Sequence, residues 1–128
     1  MSRPVMFLSA QAPELLARLP GKPSPGWPDG ETFTRALAHG SMSVEIYAPV
    51  GTDPQTPHEQ DELYLVHTGR ATFEMAGARH EVVPGTVFFV PARIEHRFVE
   101  FSRDFAAWVV FWGPPGGERD EGAGNGGA

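Results

Sequence analysis

The chain has no cysteine, and that absence excludes disulfides, zinc ribbons and thiol catalysis together. It suits a reducing compartment, so a cytoplasmic location is the expectation. Basic residues are scarce too: 10 Lys and Arg stand against 16 Asp and Glu, and the net charge of −6 argues against nucleic acid as a main partner. No apolar run approaches membrane-spanning length, so no membrane partner is expected. The start, with Arg3, apolar residues 5–8 and Ala10-Gln11-Ala12, only faintly mimics a secretory leader, because its apolar stretch is far too short.

What is present is punctuation. With 128 residues the chain suits one domain and one core, and 15 Gly and 13 Pro divide it into short segments. Residues 13–19 read as one or two helical turns, with Pro13 and Glu14 suited to the start and Pro20-Gly21 ending them. Residues 20–29 form a Pro- and Gly-rich arm around Trp27, whose size predicts that the arm covers the core or a neighbouring subunit. Residues 31–38 and 42–49 form a hairpin around His39-Gly40-Ser41, and 70–75 pairs with 79–83 through Gly77. Residues 105–112 are an apolar final strand. Beyond Gly113-Pro114-Pro115 the tail, 116–128, has little to bury and is expected to be disordered. Many short strands and one short helix describe an all-β barrel or sandwich over 31–115, with 1–30 as a helix and arm packed on it.

Two segments carry the chemistry. The first is Thr56-Pro57-His58-Glu59-Gln60-Asp61-Glu62-Leu63-Tyr64-Leu65-Val66-His67-Thr68-Gly69. Side chains two apart share a face of an extended chain, so His58, Gln60 and Glu62 point the same way if the stretch is regular. The second, residues 84–98, is a turn, a short apolar strand, a proline stop at Pro91 and a new strand start, which places His96 just after a turn. His58, Glu62 and His96 together can hold one divalent metal.

These segments resemble the paired motifs of the cupin superfamily, over about residues 51–100. His58, Glu62 and Gly69 keep the spacing of the first motif, with Thr56 where a first histidine is usual. Gly85, Pro91 and His96 keep the second, with Arg93 in place of a glycine and Glu100 in place of an asparagine. The resemblance implies a double-stranded β-helix, or jelly-roll, barrel with a metal inside, and a homodimer to which the N-terminal arm contributes an exchanged or covering element. It also implies a site reduced to three protein ligands. Two imidazoles and a carboxylate with open positions are the ligand type of non-haem Fe(II) oxygenases, and Zn, Mn and Ni accept the same donors. A second register makes Gln60 a neutral fourth ligand.

The other candidates follow from parity. His67 has the opposite parity from Glu62 and should face outward, His80 belongs to a surface strand and His39 to a turn. Tyr64 shares Glu62's parity and is either an acid/base or hydrogen-bond donor in the barrel or a core aromatic. Arg93, near the mouth implied by the Pro91 turn, either attracts a substrate carboxylate or is a surface cation. Phe98, Phe88 or Phe89, and Trp108, Val110 or their alternates supply an apolar wall, which suits a small organic ligand better than a polymer. The expected function is a metal-dependent enzyme of dioxygenase type. The alternatives are an isomerase, epimerase or lyase using the metal as a Lewis acid, or a non-catalytic ligand-binding protein.

Overall fold

In the computed structural model, which describes residues 6–119, one short helix and eight strands follow each other along the chain. They are α1 (Ala12–Leu16), β1 (Phe33–His39), β2 (Met42–Tyr47), β3 (Asp61–Thr68), β4 (Ala71–Met75), β5 (Ala78–Val82), β6 (Val87–Val90), β7 (His96–Phe101) and β8 (Ala106–Trp112). A five-stranded antiparallel sheet has the order β1-β2-β8-β3-β6, and a three-stranded one the order β5-β4-β7. From β3 onward the chain passes back and forth between the sheets, the winding of a double-stranded β-helix. Among the described residues no helix is long and apolar enough to cross a membrane.

The sequence alternation produces this arrangement directly. Along β3, Glu62, Tyr64 and Val66 are buried while Leu65 and His67 are exposed, so one face looks into the space between the sheets. Ala107, Val109 and Phe111 do the same on β8, and Phe73 and Phe98 answer from β4 and β7. Ring contacts fill the middle: Phe73 lies 5.0 Å from Phe98, Phe98 4.7 Å from Phe105, and Tyr64 stacks on Phe88 at 5.0 Å. Each such side chain contributes about 1.5–3 kcal/mol by leaving water. A register shift in the β4–β7 pair, with Val99 as the extra residue, resets the alternation so that Phe101 as well as Phe98 packs on the core.

The N-terminal part lies against the barrel. α1 is shorter than the 13–19 reading and sets Ala12 and Leu15 on Ile46, while Trp27 meets Phe33 and Tyr47 edge-on at 5.3 and 5.9 Å. The beginning of the tail departs from expectation. Residues 116–118 return to the barrel: the Gly116 N–H donates to the Glu59 carbonyl (2.6 Å), and the Glu118 N–H to Asp61 Oδ2 (2.9 Å). Composition could not reveal this because the contacts are made by backbone, drawn in by a buried acid that needs donors. Residues 120–128 of that tail lie outside those described.

Two motif glycines have different reasons to be glycine. Gly69 has φ +75°, and a Cβ there would lie 2.6 Å from Phe105 Cα and 2.7 Å from its N, whereas Gly85 has φ +91° with nothing within 4 Å. Gly69→Ala is therefore expected to lose at least about 3 kcal/mol, conformational strain plus a backbone clash, and Gly85→Ala only about 1–2 kcal/mol. Urea unfolding measures both, and equal losses would contradict the close approach at Gly69.

Candidate metal centre

Glu62 sits on β3 between β6 and β8, opposite Val90 and Phe111, and is fully buried. His96 begins β7 on the facing sheet and is also buried, while His58 enters from the loop ahead of β3. The ligand atoms of all three lie within 4.8 Å of one another. Both imidazoles converge on one oxygen: His58 Nδ1 is 2.9 Å and His96 Nε2 3.4 Å from Glu62 Oε2.

The proton positions constrain what this cluster can hold. His96 Nδ1 lies 2.7 Å from the Ile94 carbonyl, which can only accept, so Nδ1 carries the hydrogen, and in the neutral ring Nε2 presents its lone pair to the carboxylate. Among the described residues neither that Nε2 nor Glu62 Oε1 has a hydrogen-bond partner. A second proton on His96 would relieve the contact with Oε2 but leave Oε1 bare. A divalent cation serves all the donors at once, and the donor set fits one. The His58 imidazole is pulled down by burial, but the hydrogen bond to Glu62 and its charge, backed by Glu45 and Asp53, raise it above the ordinary 6.5 overall.

The His58 loop is aimed by hydrogen bonds from three directions. The Arg93 N–H donates to the His58 carbonyl at 2.7 Å, and the Gly116 N–H to the neighbouring Glu59 carbonyl. Asp53, buried, accepts from the Tyr47 hydroxyl, from Gln55 Nε2 (2.7 Å) and from the Phe98 N–H (2.7 Å) on β7, the outer strand of the smaller sheet. One carboxylate thus closes a strand edge and anchors the start of the segment that leads to His58.

The comparisons with known proteins agree with the fold. The family model described as a cupin domain matches residues 43–112, more than half of the chain. The chain belongs to the cupin family. An uncharacterised protein of Streptomyces coelicolor is 41% identical over 85 residues, 65% of this chain and 80% of that protein. Among solved structures, a cupin 2 conserved barrel domain protein from Salinispora arenicola CNS-205 has 23% identity and a TM-score of 0.54, covering 63% of this chain and 74% of its own. KdgF from a Halomonas species has 20% identity and a TM-score of 0.56, over 70% and 82%. At these identities the two structures share the fold.

Within this cupin the remaining candidates separate. Gln60 is drawn away from the cluster: its Nε2 donates to the Ser41 and Gly113 carbonyls, 3.0 Å each, because the chain bends at Glu59 and Gln60 and breaks the alternation. Thr56 is exposed. Arg93 does not line the cavity; its exposed guanidinium pairs with Glu59 at 2.8 Å, and its φ of +66° explains why the motif favours glycine there. Phe98 is a core residue enclosed by Tyr47, Tyr64, Phe73 and Phe105 rather than a cavity wall. His67 is exposed, as parity predicts, and His39 and His80 are exposed as well. Tyr64 does point inward, and its hydroxyl donates to Gln55 Oε1 at 3.2 Å. Burial, then the charge of Glu62, pushes it well above the ordinary phenol value, so it remains a protonated donor rather than a base.

The cavity itself, about 260 Å³, opens beside His58 and is walled by Trp27, Phe33, Tyr47 and Val109, with Glu45 and Gln55 as further polar lining. Sequence reading missed Asp53, Gln55 and Glu45. The shared inward parity of Glu45 and Tyr47 on β2 was the available signal for the last of these.

The His58–Glu62 pair has a pH signature in metal-free protein. A histidine raised on folding adds stability that is complete below its unfolded value and fades as pH climbs through the raised one. Glu62→Gln should therefore flatten the fall in urea midpoint between about pH 6 and 8. An unchanged slope would exclude the pairing.

Proposed function

We propose that this cupin holds a divalent ion on His58, Glu62 and His96 and acts with it on a small organic molecule in the adjoining cavity, with dioxygenase chemistry as the preferred reaction. The observation that carries this reading is the pair of buried, unpartnered acceptors, Glu62 Oε1 and His96 Nε2, inside a two-histidine, one-carboxylate cluster. Such a set leaves coordination positions open, and the ion would supply Lewis acidity or, as iron, oxygen activation. The chain's own residues do the rest. The Ile94 carbonyl holds the His96 tautomer, and the Arg93 N–H fixes the backbone at His58. Tyr64, anchored by Gln55, offers a fixed hydroxyl, and the aromatic wall excludes water from one side of the ligand.

Protein purified without chelator or nickel is expected to carry about one divalent ion per chain, and His96→Ala and Glu62→Gln to lose it while retaining β-sheet circular dichroism. Wild-type protein that takes up no divalent ion after dialysis would overturn the reading. Oxygen uptake on turnover distinguishes the dioxygenase from a Lewis-acid isomerase, epimerase or lyase.

The partner in this reading is a second copy. β6 is the outer strand of the larger sheet and presents exposed Val87 and Phe89 beside Leu65 on β3. Sedimentation should find a dimer that Phe89→Glu converts to monomer, and a monomeric wild type would reject it.

A further inference from the structure

The charge of the cavity is opposite to what Arg93 at its mouth would have made it. With that guanidinium tied to Glu59 outside, no Arg or Lys among the described residues lines the space, and His58 is neutral when it serves as a metal ligand. The remaining charged lining residue is Glu45, which shares the inner face of β2 with Tyr47. Its carboxylate makes no hydrogen bond or ion pair among the described residues, even with Arg35, its direct cross-strand neighbour on β1. Three aromatic rings line the same cavity. Trp27 meets Phe33 at 69° and Tyr47 at 84°, so the rings form a corner of differently oriented π surfaces.

We infer that this cavity selects a small organic cation, an ammonium or other onium head group seated between Glu45 and the corner formed by Trp27, Phe33 and Tyr47. The attraction has two sources, the carboxylate charge and the negative faces of the aromatic rings, and both act in a space from which much of the water is removed. At Glu45 and the ring corner an anion meets neither; charge that favours it would lie beyond His58, at the ion. Burial pushes the Glu45 carboxyl up, against the pull of His58 and Arg35 and with the help of Glu62 and Glu31, so the free cavity disfavours a charge that a bound cation would compensate. At about 260 Å³ the space lies just under the roughly 300–1,000 Å³ of drug-sized sites, which limits the ligand to a small molecule.

This inference rests on the proposal that the cavity binds a small organic ligand, and it names the class without depending on the identity of the ion. Probes of one shape and different charge test it: choline, its neutral carbon isostere neohexyl alcohol, and the anion tert-butylacetate, each titrated into full-length protein by NMR. Choline is expected to bind at least about tenfold more tightly than the alcohol, with the anion weakest. Glu45→Gln should abolish the preference for choline over the alcohol while leaving metal content as in wild type. Trp27→Leu should weaken choline, and Trp27→Phe should restore much of the loss. Equal binding of choline and the alcohol, preference for the anion, no choline binding, or a preference that survives Glu45→Gln would each overturn it. Metal loss without a change in cation preference would instead count against the metal reading alone.

Discussion

A carboxylate with no exposure to water has to be neutralised where it stands, and Glu62 imposes that condition on the whole barrel. An isolated buried charge costs several kcal/mol even after the protein relaxes, so the fold persists around Glu62 only with cationic or proton-donating partners close by. One, His58, comes from a loop that must be brought over the end of the barrel; His96, the first residue of β7 on the facing sheet, brings a second nitrogen to the same oxygen, where a shared cation would serve both. The separation of the sheets, the start of β7 and the path of residues 53–60 all serve to place two imidazoles against one oxygen. Glu62 Oε1 is left without a partner in that arrangement, which is why the cluster reads as a binding site and not merely as a buried ion pair.

Two further acids hold the surroundings in place, and both do so through backbone. Asp53 joins the loop before β3 to the Phe98 N–H, and Asp61 joins the β6–β7 turn, at the Ala92 N–H, to the chain beyond β8, at the Glu118 N–H. Carboxylates suit this because they accept several hydrogen bonds at once and strengthen each by their charge. The left-handed backbone of Arg93 belongs to the same scheme: the turn delivers its N–H to the His58 carbonyl, and the guanidinium clasps Glu59 next to it. The His58 loop is thus positioned mainly by polar contacts, while the hydrophobic core beneath positions Glu62 and His96.

The extent to which this could be read from sequence differs residue by residue. Strand alternation placed Glu62 and Tyr64 inward and His67 outward, since side-chain direction in a regular strand is a local property. The same rule failed at Gln60, because the chain bends at Glu59 and Gln60 and the amide is captured by carbonyls of Ser41 and Gly113, far away in sequence. Arg93, read as either a substrate-carboxylate ligand or a surface cation, is an exposed cation engaged by Glu59; Phe98 was expected at a wall and lies in the core. For Phe98 the chain position was right and the neighbours were not. The short final tail misled in the opposite direction, since a segment with nothing to bury still donates the Glu118 N–H to Asp61 and the Gly116 N–H to the Glu59 carbonyl.

The sequence by itself determined an all-β barrel or sandwich, its hairpins and the three residues that can hold a metal, because period-two alternation, turn glycines and motif spacing act over a few neighbouring residues; the motif resemblance narrowed that barrel to a jelly roll. Only the tertiary structure decided that His58 and His96 share one oxygen of Glu62, that Gln60 and Arg93 are spent elsewhere, and that Glu45 faces a cavity built by Trp27 from the N-terminal arm. Those outcomes depend on which donor reaches which acceptor across two sheets and two chain ends, a competition settled by distances that no local pattern encodes.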